Sequence, residues 1–150
     1  MKKYITILIL SIIVLAGCEQ DSICIDPTTP NLIIRFYDFE NPDETKAIQL
    51  DSIWAEGKQQ YIKNVTSDSV AIFLDINENF TQYNFSSETA VDKINFEYNR
   101  KDVFVGRSCG YKTIFEDFQI GSATNNWIKE IEIINTIIDN DTAAQVYIFH

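Results

Sequence analysis

The stretch from residue 94 to residue 120, INFEYNRKDVFVGRSCGYKTIFEDFQI, indicates the fold class, because apolar and polar residues alternate along most of it. Ile94, Phe96 and Tyr98 fall on one face of an extended chain, with polar residues between them. A period of two is typical of a half-buried β-strand. The Asn-Arg pair at residues 99–100 predicts a tight turn, so the first part of the stretch is expected to form a hairpin.

Short apolar or alternating segments recur about every ten residues in the rest of the chain, and no segment has a convincing helical period. The sequence therefore predicts eight to ten short strands in an all-β, antiparallel, two-sheet β-sandwich, immunoglobulin-like or related. A small β-barrel is the alternative. Residues 31–39 are apolar on both faces and predict a central strand buried on two sides. Further strands are predicted at residues 46–54, 70–76, 111–120, 129–134 and 143–150.

The first 17 residues have the layout of a secretory signal peptide, with Lys2 and Lys3 before an apolar run too short to span a membrane. The run ends in Leu-Ala-Gly-Cys at residues 15–18, which resembles the lipobox of bacterial lipoproteins. That resemblance implies cleavage before Cys18 and acylation of this residue. We therefore divide the chain into a signal peptide (1–17), a lipidated tether (18–30) and one β-sandwich domain (31–150).

The chain is strongly acidic, with 22 Asp and Glu against 12 Lys and Arg and a net charge of −10. Loss of Lys2 and Lys3 with a signal peptide would take the net charge to −12. Such a chain is repelled by phosphate backbones, so we expect no nucleic-acid partner. The same charge argues against flat docking on an anionic membrane, which leaves the lipid as the expected membrane attachment.

If Cys18 carries lipid, Cys24 and Cys109 remain as one pair of cysteines. Export to an oxidising compartment favours a disulfide between them. The alternative is two reduced, buried cysteines that act as small apolar residues.

The motif Gly-Arg-Ser-Cys-Gly at residues 106–110 also fits the G-x-S-x-G nucleophile elbow, which would make Ser108 the nucleophile of a hydrolase. An elbow leads into a helix, whereas the residues after Gly110 predict a strand. The only histidine is His150, and a residue at the end of the sequence is expected to be held too loosely to act as a base. We therefore predict a non-enzyme, with no catalytic residue, cofactor or metal ligand assigned.

Other motifs are short. Trp54 and Trp127, with Tyr61, Tyr83 and Tyr111, would stack on sugars if exposed, although such residues more often fill a core. Ser69 and Thr142 lie in Asp-Ser/Thr-aliphatic triplets in predicted turns, and these triplets resemble the O-glycosylation sequon of exported Bacteroidota proteins. Acidic loops at residues 38–44 and 139–141 would suit calcium, but solvated acidic turns are commoner.

The lipobox, the early Cys24, the segment SCGYK at residues 108–112 and the Asn-Trp pair at residues 126–127 together resemble an uncharacterised lipoprotein family of Bacteroidota. The resemblance implies an exported domain anchored in the cell envelope, and we expect the outer membrane, with the membrane face left open. We predict a non-catalytic adaptor or accessory module that binds an envelope protein. The alternatives are a glycan-binding module, a carboxylate-based glycosidase, and a structural envelope protein.

Overall fold

The computed structural model describes residues 23–24 and 29–150, and within them it contains nine β-strands and no helix. The predicted signal peptide, Cys18 and most of the predicted tether lie outside the described residues. The strands are β1 (Leu32–Tyr37), β2 (Ile48–Ala55), β3 (Ile62–Ser67), β4 (Ser69–Ile72), β5 (Phe80–Ser87), β6 (Ala90–Gly106), β7 (Gly110–Ala123), β8 (Glu130–Ile133) and β9 (Val146–Phe149).

The strands form two sheets, which confirms the predicted two-sheet β-sandwich. The four-stranded sheet has the order β4-β1-β9-β8, and the five-stranded sheet has the order β3-β2-β5-β6-β7. The expectation of purely antiparallel pairing is wrong at one place, because β1 and β9 run parallel, with Ile34 opposite Val146 and Tyr37 opposite Phe149. Parallel neighbours need a long connection. Here every other strand lies between them in the sequence.

The core lies between the sheets and is built from the alternating residues of each strand. Leu32, Ile34 and Phe36 of β1 are fully buried, whereas Arg35 is exposed. β1 is therefore an interior strand of its sheet, as predicted, but it is buried on one face only, because its other face lies on the outside of the sandwich. Other large, fully buried side chains are Leu50, Ile53, Ile72, Phe85, Ile94, Phe96, Phe115, Phe118 and Ile128.

The longest element is the hairpin of β6 and β7, with strands of 17 and 14 residues. The tight turn predicted at residues 99–100 is wrong, because Asn99 and Arg100 continue β6 and pair with Glu116 and Phe115. Register shifts on either side of Glu97 bend the strand without ending it. The chain reverses instead at residues 107–109. Gly110, which follows this turn and begins β7, has a φ of +71° that glycine adopts without steric cost.

Candidate functional site

The turn between β6 and β7 contains a disulfide between Cys24 and Cys109, with a Cα–Cα distance of 4.9 Å. The predicted pairing is thus present, and the reduced alternative is not. The residues on both sides of the motif at 106–110 are β-strand rather than the strand and helix of an elbow. Ser108 and His150 also lie at opposite ends of strand β7. Ser108 precedes the strand, whereas His150 packs against Trp127, which follows the strand's other end. At about 3.3 Å per residue, the 14 residues of β7 span roughly 45 Å.

The expectation that His150 would be loosely held is wrong. Its backbone N–H donates to Tyr37 O at 3.1 Å, and its ring packs edge-on against Phe36 and Trp127 with centroid distances of 6.2 and 6.1 Å. Burial lowers the pKa of the imidazole, and the carbonyl of Lys46 near Nε2 opposes that effect. These contacts give His150 a role in packing the end of the sandwich.

The aromatic residues predicted as a sugar platform do not come together. Trp127 packs against Phe36, and its indole Nε1 donates to Phe85 O at 3.1 Å. Tyr83 is buried, its hydroxyl donates to Phe73 O, and burial raises its pKa to about 12. Trp54 is half-buried on β2, while Tyr61 and Tyr111 are exposed at separate places.

The two predicted glycosylation residues have different surroundings. Thr142 is exposed in a bend, and both its backbone N–H and its hydroxyl donate to Asn140 Oδ1. Ser69 is only half-exposed and begins β4 instead of lying in a turn, so that expectation of its location is wrong. Modification of either residue stays a prediction, and Thr142 is the more accessible of the two.

Within residues 23–24 and 29–150, no group of three or more His, Cys, Asp or Glu side chains is placed to hold a metal ion. The acidic loops at residues 38–44 and 139–141 therefore do not form such a group. The same part of the chain contains no helix that is long and apolar enough to cross a membrane.

A polar groove of about 600 Å³ lies on the outer side of the five-stranded sheet. Its floor is formed by β5, β6 and β7, in which polar outward residues alternate with buried ones. Its volume falls in the range of small-ligand sites, roughly 300–1,000 Å³. The lining residues are Asn79, Phe80, Gln82, Asn95, Glu97, Tyr98, Asn99, Asp117, Gln119 and Ser122.

Strand register places these side chains in rows across the sheet. Phe80, Glu97 and Gln119 are direct cross-strand neighbours on β5, β6 and β7. Neighbouring strands lie about 4.8 Å apart, so each row presents three side chains to one ligand-sized area. The next row consists of Gln82, Asn95 and Ser122.

Glu97 lies at the centre of the polar groove and is held by amide side chains. Its Oε1 accepts from Asn95 Nδ2 and its Oε2 from Gln119 Nε2, both at 3.1 Å. The carboxylate occupies the space that a Cβ on Gly121 would need. Gly121 is the extra residue of a β-bulge in β7, because Phe96 pairs with Ile120 and Asn95 with Ser122. The bulge, together with the absence of a side chain at Gly121, thus leaves the space that the Glu97 carboxylate occupies.

A second carboxylate lies near one end of the polar groove. Asp117 has a φ of +53°, and its Oδ2 accepts from Asn99 Nδ2 at 2.9 Å. Asn79 is fixed by Arg100, whose Nε donates to Asn79 Oδ1 at 2.8 Å. Phe80 keeps half of its surface exposed and is the apolar element of the lining.

The lining combines amides, a hydroxyl, two carboxylates and one exposed aromatic ring, and it includes no lysine or arginine. Amides both donate and accept hydrogen bonds, and carboxylates accept them. An anionic ligand would meet two negative charges here. The arrangement suits a neutral ligand with many hydroxyl groups that also has an apolar face.

A further polar residue, Asp92 of β6, is fully buried. Its carboxylate accepts hydrogen bonds from the hydroxyl of Thr124 and from the backbone N–H groups of Asn126, Trp127 and Ile128, at 2.7–2.9 Å. Burial alone would raise the pKa of Asp92, but these four donors outweigh it and lower that pKa. Asp92 therefore fixes the loop that carries Trp127.

Sequence reasoning identified none of the groove residues as a site. The one available signal was the polar half of the alternation on β5, β6 and β7, because the uncharged amides of Gln82, Asn95 and Gln119 recur there around Glu97. Their convergence depends on strand neighbours and bulges, which that pattern does not specify.

These features define an all-β, two-sheet protein that presents a polar groove on one sheet. The chain belongs to the family of unknown function DUF6452, which matches residues 48–150. The matched region contains every groove residue and Cys109, and it begins after β1. No curated protein and no solved structure matches the chain.

Proposed function

We propose that this protein is a lipid-anchored, non-catalytic binding module of the bacterial cell envelope, from the Bacteroidota. Support for the anchor comes from residues 1–18, where a basic start, an apolar run and a lipobox-like ending precede Cys18. The Cys24–Cys109 disulfide agrees with an oxidising compartment outside the cytosol. The outer membrane is the proposed location.

The observation that carries the binding function is the polar groove around Glu97. Amide side chains already orient this carboxylate, so its hydrogen-bonding direction is set before a ligand arrives. Preorganised groups lower the cost of ordering a site on binding. We propose a carbohydrate as the ligand, with its hydroxyl groups on the amides and carboxylates and one sugar face on Phe80.

The hydrogen-bond partners of Glu97 and Asp117 support the proposal of binding rather than catalysis. Both oxygens of Glu97 and Oδ2 of Asp117 already accept hydrogen bonds from uncharged amides, which gives the preorganised acceptors that a binding site needs. The arrangement therefore supports recognition better than proton transfer.

An envelope protein is the second candidate ligand, and a different surface favours it. The rings of Tyr61 and Phe73 contact each other at a centroid distance of 5.2 Å, and about half of each side chain is exposed. Exposed aromatic pairs are enriched at protein interfaces. This surface is separate from the polar groove, so the two can be tested independently.

A glycan-array screen with matched variants tests the carbohydrate proposal. In Gly121→Ala, the new Cβ displaces the Glu97 carboxylate, and in Glu97→Gln the charge is removed. Both variants are expected to lose wild-type binding by tenfold or more, on the order of 1.4 kcal/mol. Gly106→Ala is the control, because its Cβ meets no atom within 4 Å. Absence of glycan binding by the wild type, or unchanged binding by both variants, would contradict the proposal.

A further inference from the structure

The outer end of the β6–β7 hairpin differs from the rest of the surface. We define this hairpin tip as residues 103–112, in which Val103 pairs with Lys112 and Phe104 with Tyr111. It contains Arg107 and Lys112 and no acidic residue, within a chain whose net charge is −10. Lys112 Nζ donates one hydrogen bond, itself exposed to solvent, to Asp139 O at 2.8 Å. The hairpin tip itself thus carries two positive charges and no negative charge, and it is a locally basic part of an acidic protein.

Exposed apolar side chains concentrate at the same end. Among the described residues, the three most exposed large hydrophobic side chains are Ile23 at 85%, Tyr111 at 71% and Phe104 at 60%. The Phe104 and Tyr111 rings contact each other edge-on at a centroid distance of 5.3 Å. Ile23 precedes Cys24, which the disulfide joins to Cys109 in the hairpin tip. Aromatic and aliphatic side chains beside cations are typical of surfaces that enter the membrane interface.

The chain approaches this end as it is followed back toward its N-terminus. Thr29 Oγ1 accepts from the backbone N–H of Thr113 at 3.3 Å, and Cys24 is bonded to Cys109, nearer the turn. Cys18 comes six residues before Cys24. Six residues of fully extended chain span at most about 20 Å. A lipid on Cys18 would therefore hold the hairpin tip within that distance of the membrane surface.

We infer that the hairpin tip docks on the membrane, with Phe104, Tyr111 and Ile23 in the headgroup region and Arg107 and Lys112 on anionic phospholipid phosphates. This inference rests on the proposed lipid anchor at Cys18. It also revises the expectation that the negative net charge prevents docking on an anionic membrane. The net charge averages over the whole chain, whereas the part of the chain held next to the bilayer is the basic hairpin tip. A membrane is favoured over a protein partner because the disulfide attaches this patch to the anchored end of the chain.

Docking would fix the distance between the membrane and the polar groove. Glu97 lies seven residues along β6 from Phe104, which is roughly 23 Å at about 3.3 Å per residue. The groove would then face the aqueous space at a fixed height above the membrane. Without docking, a short tether alone would leave the orientation of the groove free.

Fluorescence quenching in proteoliposomes tests the contact. Full-length protein extracted from membranes is reconstituted in phosphatidylglycerol-containing vesicles with brominated acyl chains, as Tyr111→Trp and, for the control, Phe73→Trp. Phe73 is 54% exposed and belongs to the separate Tyr61 pair. Most of the emission added by Tyr111→Trp should be quenched, and that added by Phe73→Trp should not. Arg107→Glu combined with Lys112→Glu should abolish the quenching.

Vesicle flotation separates failure of the contact from failure of the anchor. One outcome is that flotation requires Cys18 but Tyr111→Trp is quenched no more than Phe73→Trp. In that case the anchor stands and membrane docking is overturned, and a protein partner becomes the candidate for binding the hairpin tip. If the Cys18→Ala protein floats as well as the wild type, the anchor is overturned and this inference with it. Quenching that persists after both charge reversals would overturn the role of the phosphates.

Discussion

Asp92 shows how a single polar residue organises one end of the molecule. Its buried carboxylate accepts hydrogen bonds from three consecutive backbone N–H groups and from the Thr124 hydroxyl, in the loop between β7 and β8. A buried charge is tolerated only when such donors surround it. Because Trp127 belongs to this loop and contacts both Phe36 and His150, Asp92 indirectly fixes the packing there.

Asp92→Asn is expected to lower the free energy of unfolding by about 2–3 kcal/mol, because the amide loses the charge and turns an N–H group toward backbone donors. Chemical denaturation monitored by tryptophan fluorescence measures the change. Asp43→Asn, at an exposed position, is the matched control and should change stability by less than about 0.5 kcal/mol. Equal effects of the two substitutions would contradict the role assigned to Asp92.

The lowered pKa of Asp92 also predicts a dependence on pH. The ionised carboxylate stabilises the fold fully above the pKa of an unfolded aspartate, near 4, and this contribution is lost as the pH falls through the lower pKa of the folded state. Wild-type stability should therefore fall more steeply below pH 4 than that of Asp92→Asn. Parallel curves for the two proteins in that range would show that Asp92 is not the titrating group.

At the scale of elements, the β6–β7 hairpin connects the three features of interest. Its inner part carries Asp92, its middle carries the polar groove, and its outer end carries the disulfide. Bulges allow one long hairpin to carry all three features. They bend β6 near Glu97 and open space at Gly121 without interrupting the strand pairing.

The sequence predicted these elements unevenly, for physical reasons. Alternation at Ile94, Phe96 and Tyr98 correctly indicated a strand, because one face of it packs in the core. The Asn-Arg pair at residues 99–100 wrongly indicated a turn, because β6 continues through these residues past a bulge and pairs them with Glu116 and Phe115. Cysteine count and compartment predicted the disulfide. The groove was not predictable, since its rows depend on which strands become neighbours.

The disulfide is expected to stabilise the folded domain. Cys24 and Cys109 are 85 residues apart in sequence, and in the chain-entropy model a cross-link of that length stabilises the folded state by about 4–5 kcal/mol. A variant with both Cys24→Ser and Cys109→Ser should unfold at lower denaturant concentration. Reductant should shift the wild type by a similar amount and leave the variant unchanged. An unshifted wild type in reductant would contradict the assignment.

At the scale of the whole molecule, the acidic net charge of the chain differs from the charge of the part closest to the proposed lipid anchor. The net charge of −10 is the reason that we propose no nucleic-acid partner, yet it conceals the basic hairpin tip. The proposed arrangement has a lipid at Cys18, a disulfide that ties the start of the domain to the hairpin tip, and a groove farther along the same hairpin. The proposed position of the groove and the hairpin tip relative to the membrane depends on export and acylation.

Intact-mass spectrometry of the full-length protein extracted from membranes tests export and acylation together. The expected chain begins at Cys18, carries acyl groups on that residue, and has the two-proton mass deficit of the Cys24–Cys109 disulfide. A chain that retains residues 1–17, or one that is trimmed elsewhere and carries no lipid, would contradict it.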